Sequence, residues 1–321
     1  MSSVNYLDAK HIGELLPWNE LIDALGKIFV TNVVEPVRHH HKINVPGDPQ
    51  ATLLLMPVWI EGAYLGVKQV AVFPGNSKRG QPGLNGSYLL SSAKTGEPLL
   101  QLDANELTAR RTAAASALAS RYLSRTDSRK LLMIGSGRLA RSLVDAHCAV
   151  RPIECIQVWS RTQQSAEKLV QELIAEGKSA TVCQQKDLPK CIADTDIISC
   201  ATMSNEAIVL GKYLQAGVHL DLVGAFRPDM RETDDLAVQK SAVFVDTRAG
   251  ALAEAGDLTQ AIETGAFRAD EVIAEFSELC GKKHAGRNQL DNSDQQITLF
   301  KSVGAAREDL AAAMLAYEKL A

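Results

Sequence analysis

Short apolar runs broken by turn residues fill the first hundred positions: ATLLLMPVWI from Ala51, AYLGVKQVAVF from Ala63, then GSYLLSSAKTGEPLLQL ending at Leu102. Runs of this kind predict strands, and Thr95-Gly96 predicts the turn of a hairpin between two of them. The expected result is an antiparallel sheet. Asp103 and Glu106 then have the spacing of a helix start, with one acid capping and the other reaching back. The alanine-rich stretch that follows predicts a helix to about Leu123.

From Lys130 the texture changes. KLLMIGSGRLARSLVDAHCAV, IECIQVWSR and QQSAEKLVQELIAEG read as strand, glycine loop, helix, strand and helix, the pieces of a βαβ unit. The later runs TVCQQ, DIISCAT, VHLDLVGAF and SAVFVDT are apolar on both parities, so they predict parallel strands covered on both faces. QITLFKSVG and a last helix, AAREDLAAAMLAYEKLA, close the chain. The fold class expected is α/β, with a Rossmann-type dinucleotide-binding domain over residues 114–301 behind a mostly β first half.

Composition narrows the function classes. With 46% hydrophobic residues over 321 positions, the chain can bury about two domain cores. A net charge of -4 without long basic or acidic blocks offers no field for nucleic acid or an anionic membrane, so neither is expected as a partner. Six cysteines without a C-x-x-C pair suit a reducing compartment, and the opening MSSVNYLDAKHIGELL lacks a basic stretch followed by an apolar one. The expected location is the cytoplasm.

The strongest motif is Gly135-Ser136-Gly137-Arg138-Leu139-Ala140, which directly follows the strand LLMI and opens a helix. Gly135 permits the tight turn, Gly137 lets the backbone approach a pyrophosphate, and Ala140 lets the helix lie close to the strand. The N–H groups at the helix start then face the anion. An NAD site places an acid about 20 residues on, at the end of the next strand. Here that strand ends in Ser160, Arg161 and Thr162. A carboxylate would repel a 2′-phosphate and a guanidinium can fork onto one, so NADPH is expected over NADH.

Candidate substrate residues are cations among apolar neighbours: Arg38 in EPVRHHHKI, Lys68 in LGVKQVAVF and Arg111 in LTARRTAAASALAS. A lysine in so apolar a strand suggests an anionic partner. Arg110 and Arg111 point about 100° apart on a helix, so only one can face a given pocket. The triplet His39-His40-His41 alternates faces along a strand and has no Cys, Asp or Glu at ligand spacing, so no metal is expected and a pocket-lining role is preferred. Asp221 and Asp229 are carboxylates that orient a water or cap a turn, with the turn preferred for Asp229.

The segments LLLMP, VKQVAVFPGN, ARRTAAASALA, MIGSGRLA, VWSRT, VGAFRPDMRETDD and ITLFKSVGAAREDLA together resemble the ornithine cyclodeaminase and mu-crystallin family, in family order over nearly the whole chain. The resemblance implies a homodimer, with residues 1–113 and 302–321 forming an α+β substrate and dimerisation domain that the last helix completes. It implies that Arg38, Lys68 and Arg111 hold a substrate carboxylate, with Lys68 central to catalysis. Thr112 and Ser302 join the cofactor set, as do Ala201, Thr202 and Val223 at the ends of their strands.

Two departures direct the function. Where a cyclodeaminase carries a glutamate before Leu-Met-Pro and an aspartate in the VGA loop, this chain has Leu54 and Phe226, neither able to transfer a proton. The pattern is therefore more similar to relatives such as mu-crystallin and the bacterial Δ1-pyrroline-2-carboxylate reductases. The activity this implies is NADPH-dependent reduction of a cyclic imino acid to L-proline or L-pipecolate, with Phe226 packed on the substrate ring. The alternatives are ornithine cyclisation, alanine formation from pyruvate and ammonia, and NADPH-dependent ligand binding without turnover.

Overall fold

A computed structural model describes residues 4–320; the outermost limits of the expected domains, residues 1–3 and 321, lie outside the described residues. In chain order the first elements are β1 (Asn5–Leu7), α1 (Ala9–Leu15), α2 (Trp18–Ile28), β2 (His39–Ile43), β3 (Ala51–Trp59), β4 (Tyr64–Val72), β5 (Leu84–Ser92), β6 (Pro98–Asp103) and α3 (Ala104–Leu123). There follow β7 (Lys130–Ile134), α4 (Arg138–Val150), β8 (Cys155–Trp159), α5 (Gln163–Ala175), β9 (Ala180–Val182), α6 (Leu188–Ala193), β10 (Ile197–Cys200), β11 (His219–Leu222) and α7 (Asp235–Gln239). The last elements are β12 (Ser241–Val245), α8 (Arg248–Glu254), α9 (Gly256–Glu263), β13 (Ala274–Glu275), α10 (Phe276–Cys280), β14 (Ile297–Lys301) and α11 (Ala306–Glu318). The chain divides into two compact units, one of residues up to Arg111 together with those from Ala306, the other Thr112–Ala305.

The first unit holds a six-stranded sheet in the order β1-β6-β5-β4-β3-β2. Strands β2 to β6 form an antiparallel meander, each pairing with the next in the chain. The β5–β6 hairpin closes at Gly96, whose φ of 75° suits glycine. The structure departs from an all-antiparallel sheet at β1, which pairs with β6 in parallel. Between β1 and β2 stand α1 and α2, which the turn-and-strand pattern does not announce; α2 buries Leu21, Ile22, Leu25 and Ile28 on one stripe.

Helix α11 packs across β3 and β4. Period-two alternation therefore splits the sheet into two faces. Lys68, in register with Met56 and Tyr88, points to the helix side. On the opposite face, Leu55, Val67 and Leu99 are only half-buried and Leu89 is 38% exposed.

The second unit is an eight-stranded, wholly parallel sheet in the order β13-β12-β14-β11-β10-β7-β8-β9. Its central strands are buried throughout, and they carry buried polar residues such as Ser199, His219, Asp221 and Lys301 among their apolar ones. The winding reverses between β7 and β10, and a ligand site in such a sheet lies beyond the strands' carboxyl ends at that reversal.

Candidate active site

The glycine loop leaves β7 at the reversal. Gly135 donates its N–H to the Trp159 carbonyl at 2.8 Å and holds φ at 116°, a left-handed value. A Cβ there would stand 2.6 Å from the Ala201 carbonyl oxygen, so only glycine fits. Gly137 is the N-cap of α4, no side chain caps that helix, and an added Cβ would meet nothing within 4 Å. Such a helix start, with N–H groups lacking internal partners and open space above, suits a pyrophosphate. Ala140 is fully buried, while Arg138 is exposed and Leu139 half-buried.

The other sequence-predicted cofactor residues gather on adjacent strand ends. Ser136 Oγ donates to Ser160 Oγ at 2.9 Å, joining the glycine loop to the end of β8. Arg161 and Thr162 follow, both exposed. Ala201 donates its N–H to the Ile134 carbonyl at 2.9 Å, Val223 to Cys200 at 2.9 Å, and Ser302 to Leu222 at 3.2 Å. The ends of β7, β10, β11 and β14 are thus laced together by backbone bonds. Thr202 follows Ala201 on the same turn; Thr112 lies half-buried on α3.

The first unit, taken by itself, holds a buried charge cluster. Lys68 Nζ donates to Asp309 Oδ2 at 2.6 Å, while Arg111 donates from Nε to Asp309 Oδ1 at 3.2 Å and from Nη1 to a Glu308 carboxylate oxygen at 2.7 Å. All four groups are buried. Burial would push the Asp309 carboxyl up, yet the neighbouring Lys68 and Arg111 hold it below the usual carboxylate value. Burial also pulls the Lys68 ammonium down, a shift that Asp309 opposes. Arg110 turns away as the helical angle requires, donating to the Leu16 carbonyl at 2.7 Å and lying 4.5 Å from the Trp18 ring centroid.

The sequence therefore identifies two of the cations but not their partners. It attributes their burial to a substrate anion, whereas the structure pairs them with Glu308 and Asp309 in the first turn of α11. Acids are favoured there by the helix dipole. Glu35 seats that turn, accepting from Arg307 N at 3.3 Å and Arg307 Nε at 2.8 Å. Two acids inside the apolar frame AAREDLAAAM were the available signal. Tyr88 is another residue without a sequence cue: it is fully buried, its Oη lacks a hydrogen-bond partner, and its ring occupies the space a Cβ at Gly66 would need.

Arg38 is half-buried on the segment before β2. Phe226 is 44% exposed and follows Ala225, whose φ is 49°. The three histidines are exposed on the edge strand β2, so the expected pocket-lining role does not fit their placement in this unit. Among the described residues, no group of three or more His, Cys, Asp or Glu side chains has metal-binding geometry. Asp221 is corrected most clearly: it lies fully buried within β11, where Oδ2 accepts from Ser199 Oγ at 2.6 Å and stands 3.2 Å from His147 Nε2. It is a core network residue, because its strand neighbour in register is Ser199. Asp229 pairs with Arg227 on an exposed turn.

The chain, with its parallel sheet and glycine loop, belongs to the ornithine cyclodeaminase/mu-crystallin family, whose profile matches residues 4–321. It is 38% identical to a Δ1-pyrroline-2-carboxylate reductase of Paracoccus denitrificans, over 90% of this chain and 92% of that one. The solved Δ1-pyrroline-2-carboxylate reductase of Thermococcus litoralis, in complex with NADH and L-proline, superposes with a TM-score of 0.88 at 33% identity, covering 98% of this chain and 97% of that one. An archaeal alanine dehydrogenase dimer with bound NAD superposes with a TM-score of 0.86 at 27% identity, covering 98% and 95%.

Proposed function

We propose that this chain is an NADPH-dependent reductase of cyclic imino acids, converting Δ1-pyrroline-2-carboxylate to L-proline and Δ1-piperideine-2-carboxylate to L-pipecolate. The chain is an NAD(P)H-dependent oxidoreductase acting on C=N bonds, as its named relatives in Paracoccus and Thermococcus suggest. The observation that carries the substrate class is the meeting of Lys68 and Arg111 on Asp309: two buried cations already spaced to share one carboxylate.

Lys68 and Arg111 balance Glu308 and Asp309, so the cluster is neutral as it stands. A bare anion entering it would be left uncompensated, which is costly in a buried site. An imino acid bound as its iminium carries its own positive charge beside its carboxylate and adds no net charge. Arg38, half-buried before β2, is proposed as a further, partly solvated contact to the carboxylate and stays outside this balance. Leu54 and Phe226 leave the site without the carboxylates a cyclodeaminase uses, and solvent can protonate a ring nitrogen of this kind.

The residues of the second unit fit a nicotinamide dinucleotide, because Gly135 admits no Cβ and the start of α4 is uncapped and open. Gly135 to Ala140 would hold the pyrophosphate, Ser160, Arg161 and Thr162 the adenosine ribose with its 2′-phosphate, and Ala201, Thr202, Val223, Ser302 and Thr112 the remainder. When bound, the cofactor supplies the hydride; the protein supplies orientation and charge. The half-covered sheet face bearing Leu55, Val67 and Leu89 supports a homodimer, since an apolar face of this kind is normally covered. The six cysteines are free thiols, which suits the cytoplasm. Chiral analysis of the product formed from Δ1-pyrroline-2-carboxylate and NADPH tests the reading: L-proline supports it, and D-proline or no proline overturns it.

A further inference from the structure

Beneath the strand ends of the second unit lie three fully buried ionisable side chains, Glu232, Asp257 and Lys301. Glu232 sits on the loop that leaves β11, and its Oε1 accepts from Thr202 N at 2.7 Å and Thr202 Oγ1 at 2.8 Å. Its own N–H and that of Thr233 donate to Asp257 Oδ1, at 2.7 and 3.0 Å. Lys301, from the end of β14, donates to the Gly224 carbonyl and stands 3.1 Å from Asp257 Oδ2. A Cβ at Gly224 would meet the Thr202 carbonyl at 2.2 Å and Glu232 Oε1 at 2.4 Å, so the loop closes down on the carboxylate. One side chain thus ties the turn after β10 to the loop after β11.

Glu232 Oε2 is buried with no hydrogen-bond partner. The groups facing Glu232 are Lys301 of β14, Asp257 of α9 and the Cys200 thiol of β10. Burial pushes the Glu232 carboxyl up to about 7, Asp257 adds to the rise, and Lys301 opposes it. With Glu232 ionised, two carboxylates face one ammonium; with it protonated, the trio is neutral. In a doubly wound sheet, the half with β7 and β8 takes the adenosine end and the half with β10, β11 and β14 takes the nicotinamide end. That ring is neutral when reduced and positively charged when oxidised.

We propose that Glu232 is a positioning residue for the nicotinamide half of the dinucleotide site, its carboxylate fixing Thr202 and its charge coupling proton release to binding of the oxidised cofactor. The inference rests on the dinucleotide reading above. A positive ring over the strand ends favours the ionised carboxylate; the neutral reduced ring does not. Binding of NADP+ near pH 7 therefore expels part of a proton that binding of NADPH leaves in place. Any proton change due to the phosphates is common to both forms and cancels in the difference.

The test is calorimetric titration of the full-length protein with NADP+ and with NADPH at pH 7, in buffers of different ionisation enthalpy. The expected result is greater proton release with NADP+ than with NADPH. In Glu232→Gln the difference vanishes, and both forms bind about tenfold more weakly through loss of the charge-assisted bonds to Thr202. Thr202→Val leaves Glu232 in place, keeps the NADP+-specific release and moves it to higher pH, because a bond favouring the ionised form is gone. Equal proton release for both forms in the wild type, or a difference that survives in Glu232→Gln, overturns the proposal. If Glu232→Gln does not fold, unaltered binding and unaltered proton release in Thr202→Val overturn it independently. Wild type that binds neither form sinks the dinucleotide reading itself, an outcome distinct from binding with equal release.

Discussion

Lys68 on β4 and Asp309 on α11, 241 residues apart in the chain, meet at 2.6 Å with both side chains almost wholly buried. Bringing two charges out of water is costly, and the pair is tolerated because Arg111 shares the same carboxylate. Removing one partner strands the other.

Asp309→Asn is expected to destabilise the first unit by about 3–5 kcal/mol, the cost of leaving a buried charge uncompensated. The combined change Lys68→Met with Asp309→Leu recovers most of that stability while abolishing imine reduction. Urea denaturation of the three proteins measures this. Because Asp309 is held below the ordinary carboxylate value, its stabilisation is present above the unfolded-state value and is lost as pH falls through the lower, folded-state one. Asp309→Asn therefore flattens the acid limb of the stability curve. An unchanged acid limb contradicts the assignment.

Arg161→Asp is expected to reverse the cofactor preference. The variant places a carboxylate where the 2′-phosphate binds, raising the NADPH KM at least ~tenfold, given ~1.5–3 kcal/mol for a charge-assisted contact, while NADH improves or is unaffected. Initial rates at saturating imine with each cofactor decide it.

Gly135→Ala combines a φ of 116° with a Cβ 2.6 Å from the Ala201 carbonyl. Strain of this kind costs about 1–3 kcal/mol before any clash is counted. Dinucleotide affinity measured by fluorescence quenching should fall below detection, even where circular dichroism shows a folded protein.

Leu89→Lys alters the half-covered sheet face and leaves the helix side untouched. Sedimentation is expected to show a dimer for the wild type and a monomer for the variant. A wild-type monomer would remove the proposed interface.

The Rossmann half was legible because its signals are local. Gly135 is fixed by turn geometry and Ala140 by close packing, Gly137 leaves the helix start open, and mostly apolar strands such as β7 announce a sheet covered on both faces. The first half was legible as strands but not as helices α1 and α2, whose stripes are short and separated by Pro17. Lys68 and Arg111 stood out as cations in apolar frames. Their partners did not, because Glu308 and Asp309 lie at the far end of the chain and pairing across such a distance leaves no periodic trace. Asp221 shows the converse: a carboxylate near an expected site reads as functional until its strand register places it opposite Ser199, with His147 beside it.

The measurement that tests the account most directly is loss of NADPH absorbance when the purified protein meets Δ1-pyrroline-2-carboxylate, with ornithine plus catalytic NAD and pyruvate plus ammonia run in parallel. Rapid imine-dependent oxidation of NADPH, slower oxidation of NADH and no ammonia from ornithine are expected. Ammonia release from ornithine without turnover of the imine is the opposite result and would show that Leu54 and Phe226 do not exclude cyclisation.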